Sequence, residues 1–342
     1  MFGERPHGVS RREFVVQTGA LAGGVVLGGM AGASQAGQET PSGELPKRVL
    51  GRTGVSVTTL TLGTAPAGFV KPDNPKNVAD CVNAAIDLGV NAIDTAPAYN
   101  VGEEGVGLGL GKRRKDVFLS TKVLADDVAE AEKILANSLK VLKTDCLDLV
   151  YLHQAGDRKV DVALNPDGVY TWLLKQKKAG KIRFVGISGH NRPAKFIGPL
   201  ESGEVDVLLT IINFVDRYTY NFEEKVLPVA RKHNTGIVAM KVFGGARKHN
   251  YPDPKCLPEL DLEHLELAVR HSLAVEGVAT LEIGAHNVEQ VRKNVEMVKR
   301  YRPPTDEENQ KLASLGKELS AQWGTHLGPV AGIGPYNHLY HV

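Results

Sequence analysis

From Val49 onward the chain alternates short apolar runs with longer amphipathic ones, and this alternation constrains the fold more than any other feature. Apolar, strand-like runs cover 57–62, 92–93, 117–121, 146–152, 182–187, 205–212, 236–240 and 279–283. Helix-period stretches follow at 76–88, 105–113, 128–142, 170–179, from Pro193, 223–233, 263–274 and 288–300. Short strands separated by helices read as parallel βα units, because a parallel strand must be reached by a crossover. Eight such units in about 250 residues are the arithmetic of a closed barrel. An open doubly wound sheet with a second domain is the alternative, but no linker-like change of composition divides the chain. The expected class is therefore α/β, a (β/α)₈ TIM barrel over 47–342. An additional C-terminal helix starts at the Thr305-Asp-Glu-Glu308 capping box and runs to about residue 319. The tail from Trp323 is expected to lie as a loop over one end of the barrel.

Residues 1–38 read differently. Ser10-Arg11-Arg12 precedes a charge-free, Gly- and Ala-rich stretch, and Ser34-Gln-Ala36 offers small residues for cleavage. That order is the order of a secretory signal, and it resembles the twin-arginine class. The expectation is a signal peptide over 1–38, a linker over 39–46, passage through the export machinery and a periplasmic location. The 41 basic residues nearly balance the 39 acidic ones, which gives no reason to expect a nucleic-acid partner. The three cysteines, Cys81, Cys146 and Cys256, have no metal-ligand spacing and read as free thiols. No metal site is expected, and the sequence does not fix the oligomeric state.

In a barrel of this kind catalytic side chains stand at the carboxyl ends of the strands, where the βα loops converge. Asp94, Lys122, His153, Ser188, Lys241 and Gly284 each follow an apolar run. Taken singly, each has an ordinary structural explanation; together they suggest one site. Asp94, Tyr99, Lys122 and His153 suit reduction of a carbonyl. The oxygen that accepts a proton needs a donor, and a phenol of pKa about 10 is a poor one at neutral pH unless an ammonium stabilises the phenolate. Lys122 can supply that charge, Asp94 can hold Lys122, and His153 can orient the substrate oxygen.

These residues carry a resemblance. Asp94-Thr-Ala-Pro-Ala-Tyr99 resembles the Asp-Thr-Ala-x-x-Tyr motif of the aldo-keto reductases. The segments ending in Lys122 and His153 resemble that family's lysine and histidine strands. Lys181–Ser188, Gly236–Gly245 and Gly284–Asn294 are similar to its fifth strand, a bacterial form of its seventh strand, and its adenosine-phosphate loop and helix. The resemblance runs from about residue 48 to 300. It implies Asp94, Tyr99, Lys122 and His153 as the catalytic group. It implies a nicotinamide nucleotide, NADP(H) ahead of NAD(H), held by Gly63, Thr64, Ser188, Gly189, Met240, Lys241, Phe243, Gly244, Gly284, His286, Gln290 and Asn294. The chain departs from the family at Gly189, where many members have Asn, and at Met240, where many stack a tyrosine. Leu209 or Thr210 stands where a strand-six Gln often contacts the nicotinamide amide.

Gly105-Val-Gly-Leu-Gly-Leu-Gly-Lys112 superficially suggests a phosphate loop, but that loop needs a preceding strand and Ser or Thr after its lysine, and Arg113 follows instead. A glycine-rich helix chosen for close packing is the expectation. The functional expectation is an oxidoreductase that moves hydride between nicotinamide and a small carbonyl or alcohol substrate. A nucleotide-loaded exported binding or regulatory protein with little turnover is the alternative.

Overall fold

Alternation of side chains across a strand decides what each barrel strand buries on its two sides. The computed structural model describes residues 43–332; the leader, the first half of the linker and the last ten residues of the tail lie outside them. Two short strands open the described chain, β1 (Lys47–Val49) and β2 (Ser56–Thr58), paired antiparallel. Eight more follow: β3 (Leu60–Gly63), β4 (Ala92–Asp94), β5 (Phe118–Val123), β6 (Leu147–Leu152), β7 (Ile182–Gly189), β8 (Val207–Ile211), β9 (Gly236–Met240) and β10 (Val278–Gly284). These eight are parallel to their neighbours and close into a barrel, with β10 pairing β3. The chain thus adopts the expected (β/α)₈ architecture.

Outward positions such as Leu62, Ile93, Leu119, Val150, Val185, Leu208, Ala239 and Leu281 join the large core under the helices. Inward positions lower in the barrel form a separate apolar layer that includes Phe118, Leu149, Val207, Val238 and Ala279. Leu50 and Val57, from the opening hairpin, belong to that layer and plug the amino-terminal mouth.

Helix starts follow capping chemistry. Asn74 accepts a hydrogen bond from the Asn77 amide ahead of helix Pro75–Asp87, and Asp127 and Asn287 do the same for Val128–Val141 and Val288–Lys299. Thr305 and Glu308 form the complete capping box of helix Asp306–Trp323. In helix Gly102–Leu110, a side chain at Gly107 would place its Cβ 2.2 Å from the Val141 carbonyl, and one at Gly105 would lie 2.3 Å from Val78. The glycine run is a packing device and not a phosphate loop.

Three local expectations change. The stretch 57–62 is two strands broken at Thr59: its first half pairs with β1 and its second enters the barrel. The stretch 223–233 is two short helices, Phe222–Lys225 and Leu227–Lys232. Pro228 can begin the second but cannot donate to a continuous ladder. A one-turn helix, Ala65–Phe69, occupies sequence that reads as loop. Cys81 is buried, which pushes its thiol up to about 12, while Cys146 and Cys256 are half-buried; all three are free.

Candidate active site

The alternation that makes the apolar floor also makes the mouth. Continuing inward by twos, Ala92 leads to Asp94, Phe118 to Ser120 and Lys122, Leu149 to Tyr151 and His153, and Val238 to Met240. Register holds these ends level: Asp94 pairs with Gly63 and with Ser120, and Lys122 pairs with Tyr151.

Asp94 and Lys122 are each about 1% exposed and form an ion pair. The Lys122 ammonium also donates to the Thr95 carbonyl at 2.9 Å, and Ser120 Oγ donates to Asp94 Oδ1 at 2.6 Å. A buried charge pair needs such extra bonds to offset desolvation. The Lys122 ammonium stands 4.6 Å from the centroid of the Tyr99 ring. Tyr99 reaches this position from the loop after β4, pinned by its amide to the Ala96 carbonyl (3.0 Å) and by its carbonyl to the Gly102 amide (2.8 Å). Gly68 permits the approach, since a Cβ there would lie 2.4 Å from the Tyr99 carbonyl. Phe69 packs edge-on to the Tyr99 ring at 5.9 Å. His153 extends the β5–β6 ladder through its amide to the Val123 carbonyl (2.9 Å). Its ring stands perpendicular to Tyr99, with centroids 6.2 Å apart.

The remaining residues expected to matter lie around the same mouth. Thr64 donates through its hydroxyl and its amide to the Asp94 carbonyl, at 3.0 and 3.1 Å. Ser188 ends the inward row of β7, and its buried Oγ meets no partner among the described residues. At Gly189 a Cβ would lie 2.8 Å from Phe196, so the asparagine common elsewhere does not fit here. Thr210 spends its hydroxyl on the Gly189 carbonyl (3.2 Å), while Leu209 faces the barrel interior. Lys241 donates to Tyr251 Oη at 2.5 Å, and Phe243 packs half-buried against the core. Gly244 lies beneath Trp323, at the end of the last helix.

The residues expected at the adenosine end are hydrogen-bonded among themselves and to helix Pro75–Asp87. Gln290 Oε1 accepts the His286 amide (2.8 Å), Asn294 donates to the Gly284 carbonyl (3.2 Å), and Asn77 donates to the His286 carbonyl (2.7 Å). Burial pushes the His286 imidazole below the usual histidine range, and its Nε2 has no partner among the described residues. The described part of the tail crosses the same mouth. His326 Nε2 lies 3.0 Å from Asp216, Tyr220 Oη donates to the Gly328 carbonyl (2.9 Å), and the Arg192 amide donates to the Pro329 carbonyl (3.1 Å).

Three neighbours of the site escaped the sequence reading. Phe69 and Tyr251 sit in segments that read as loop, where aromatic residues have no periodicity to place them. Glu282 is the third. It points inward from β10, lines the small cavity beneath Asp94 and hydrogen-bonds Asp94; burial and that neighbouring carboxyl push it up to about 8. Its signal was available: one acid in the apolar run Thr280-Leu-Glu-Ile, two residues from Gly284 and on the same face.

A buried ammonium between a carboxylate and a phenol, with an imidazole across from the phenol, can move a proton to a substrate oxygen at the mouth of a parallel barrel. The family model for the aldo/keto reductases matches residues 59–317, and the chain belongs to that family of oxidoreductases. An uncharacterized oxidoreductase of Bacillus subtilis is 27% identical over 80% of this chain and 97% of its own length. The L-galactose dehydrogenase of Arabidopsis thaliana is 26% identical over 73% and 87%. Among solved structures, the holo form of aldo-keto reductase AKR11C1 from Bacillus halodurans superposes with a TM-score of 0.65 at 25% identity, covering 83% of this chain and all of that one.

Proposed function

We propose that the chain is an NAD(P)(H)-dependent reductase or dehydrogenase of small carbonyl and alcohol compounds, with Tyr99 as the proton-transfer residue. The observation that carries this reading is the Lys122 ammonium, buried between Asp94 and the Tyr99 ring. The residues present fit a nicotinamide nucleotide. Ser188 Oγ and His286 Nε2 are buried polar atoms without partners among the described residues, and Gly63 and Gly284 sit side by side in the ladder. Ser188 and Gly189 would hold the nicotinamide amide, with Met240 against the ring. Lys241, Phe243 and Gly244 would lie along the pyrophosphate, and Gly284, His286, Gln290 and Asn294 around the adenosine. Bound there, the nucleotide supplies the hydride.

The chain supplies everything else. His153 donates a hydrogen bond to the substrate oxygen and fixes its angle. The Tyr99 hydroxyl gives its proton to that oxygen during reduction and takes it back during oxidation. Lys122 stabilises the phenolate, and Asp94, paired with it, holds its ammonium beside the ring. Arg292 and Lys293, exposed on helix Val288–Lys299, are the cations available to grip a 2′-phosphate, and NADP(H) is proposed ahead of NAD(H).

The test is a screen of aldehydes, ketones and sugars, read by nicotinamide absorbance with both nucleotides. Tyr99→Phe should lower turnover about 10²–10⁴-fold while leaving nucleotide binding intact. Full activity in that variant would falsify the assignment. Bound nucleotide that never changes redox state with any substrate pair would favour the binding-protein alternative.

We further propose export through the twin-arginine pathway, supported by residues 1–38 alone. Arg11-Arg12→Lys-Lys should shift the protein from the periplasmic to the cytoplasmic fraction, and unchanged fractionation would rule that route out.

A further inference from the structure

The buried acid on β10 is not used by the reaction just described, yet it touches the group that organises that reaction. Glu282 Oε1 occupies the space that a side chain at Gly63 would fill: a Cβ there would lie 3.1 Å from it. Beneath it the inward hydroxyls of Thr61 and Thr280 bond to each other at 2.8 Å. Its Oε2 is buried without a partner among the described residues. The charged and titratable groups facing it are Asp94 from β4, Lys122 from β5, Tyr151 from β6 and Lys241 after β9, with Tyr99 beyond Asp94.

Two carboxyls in hydrogen-bond contact share one proton, because both cannot be ionised at that distance. Asp94 is the one already paired with Lys122 and accepting from Ser120. The proton therefore belongs to Glu282, which donates it to Asp94.

We propose that Glu282 is a positioning residue of the proton-transfer centre: as a neutral acid it braces Asp94 by a donated hydrogen bond, and on ionising it withdraws that brace and adds a negative charge that opposes the Lys122 ammonium. This inference rests on the reading of Tyr99 as proton donor. With Glu282 protonated, the charges of Asp94 and Lys122 cancel, and Lys122 favours the phenolate that Tyr99 becomes as it gives up its proton. When Glu282 releases its proton to solvent, the centre carries a net negative charge and the phenolate is disfavoured. Turnover falls in both directions, since both pass through that phenolate. Burial and the neighbouring carboxyl push Glu282 up to about 8, which sets this change on the alkaline side of neutrality.

The experiment compares pH–rate profiles of the wild type and Glu282→Gln, which keeps the shape and a donor but cannot ionise. The variant-to-wild-type ratio of kcat should rise about tenfold from about pH 6 to about pH 10. Parallel profiles would overturn the proposal. A second readout needs neither turnover nor the variant. Infrared titration of the protein carrying Glu103→Gln and an intact Glu282 should show a protonated-carboxyl band at neutral pH that disappears in mild alkali. Glu103, whose carboxyl burial also raises, is silenced for this measurement by a Glu103→Gln background. No such band at neutral pH would overturn the proposal even in an inactive protein. Wild-type activity in Tyr99→Phe would instead defeat the assignment of Tyr99, so the two failures are distinguishable.

Discussion

The two ends of the barrel interior follow one alternation and hold opposite chemistry. At the amino-terminal end the inward row is Leu50, Val57, Ala92, Phe118, Leu149, Val207 and Val238, all apolar. Two residues further along, Ala92, Phe118 and Leu149 give way to Asp94, Ser120 and Tyr151, Thr280 gives way to Glu282, and beyond those stand Lys122 and His153. At the level of the floor the inward hydroxyls of Thr61 and Thr280 satisfy each other at 2.8 Å. In the mouth the buried charges of Asp94 and Lys122 are offset by their own pairing and by bonds to Ser120 and the Thr95 carbonyl. Stability and chemistry are thus carried by successive layers of the same strands, which should make them separable by mutation.

The largest effect is expected in the mouth. Lys122→Met removes one partner of a buried ion pair and leaves Asp94 uncompensated, a loss of about 3–5 kcal/mol. It should lower the melting temperature and abolish turnover together; retained turnover would show that the ammonium is dispensable. Phe118→Ala tests the floor. Truncating a buried aromatic residue costs about 3–5 kcal/mol, seen in denaturant unfolding, with kcat/KM close to wild type. A large drop in kcat/KM would mean that the two layers are coupled.

Glu282→Gln should act on the pH dependence of stability. The folded state raises this carboxyl, so its contribution is fully present below the ordinary carboxylate range. It is lost as pH rises through about 8. Melting temperatures measured across that window should fall more steeply for wild type than for the variant, and equal slopes would contradict the raised value. Thr305→Ala lies outside both layers and removes the capping box of the last helix. It should cost about 1 kcal/mol and leave turnover alone.

The barrel and the gathering of polar residues at its mouth were legible because strand ends in this architecture converge whatever the loops do. Asp94, Lys122 and His153 follow apolar runs, and a period of two puts them on one side. Tyr99 was legible through its spacing from Asp94, although its approach depends on Gly68 in a helix that Pro66 and Gly68 made look like loop. The break at Thr59 was hidden because apolar and β-branched residues continue through it, and only pairing partners reveal where one strand becomes two. Glu282 was hidden for the reverse reason. A single acid in an apolar run has no period of its own, and only the closed ring places it against Asp94.

Ring closure has one more result. Strands that pair all the way round expose no unsatisfied row of amides and carbonyls. The outer row of β2 is occupied by one side chain: Asn91 accepts from the Thr58 amide (2.7 Å) and donates to the Ser56 carbonyl (3.0 Å). Among the described strands this leaves the outer row of β1, three residues long and bearing the exposed Lys47. A neighbouring molecule seeking to add itself to this protein by strand pairing meets only that short, positively charged margin, which is a poor template for aggregation.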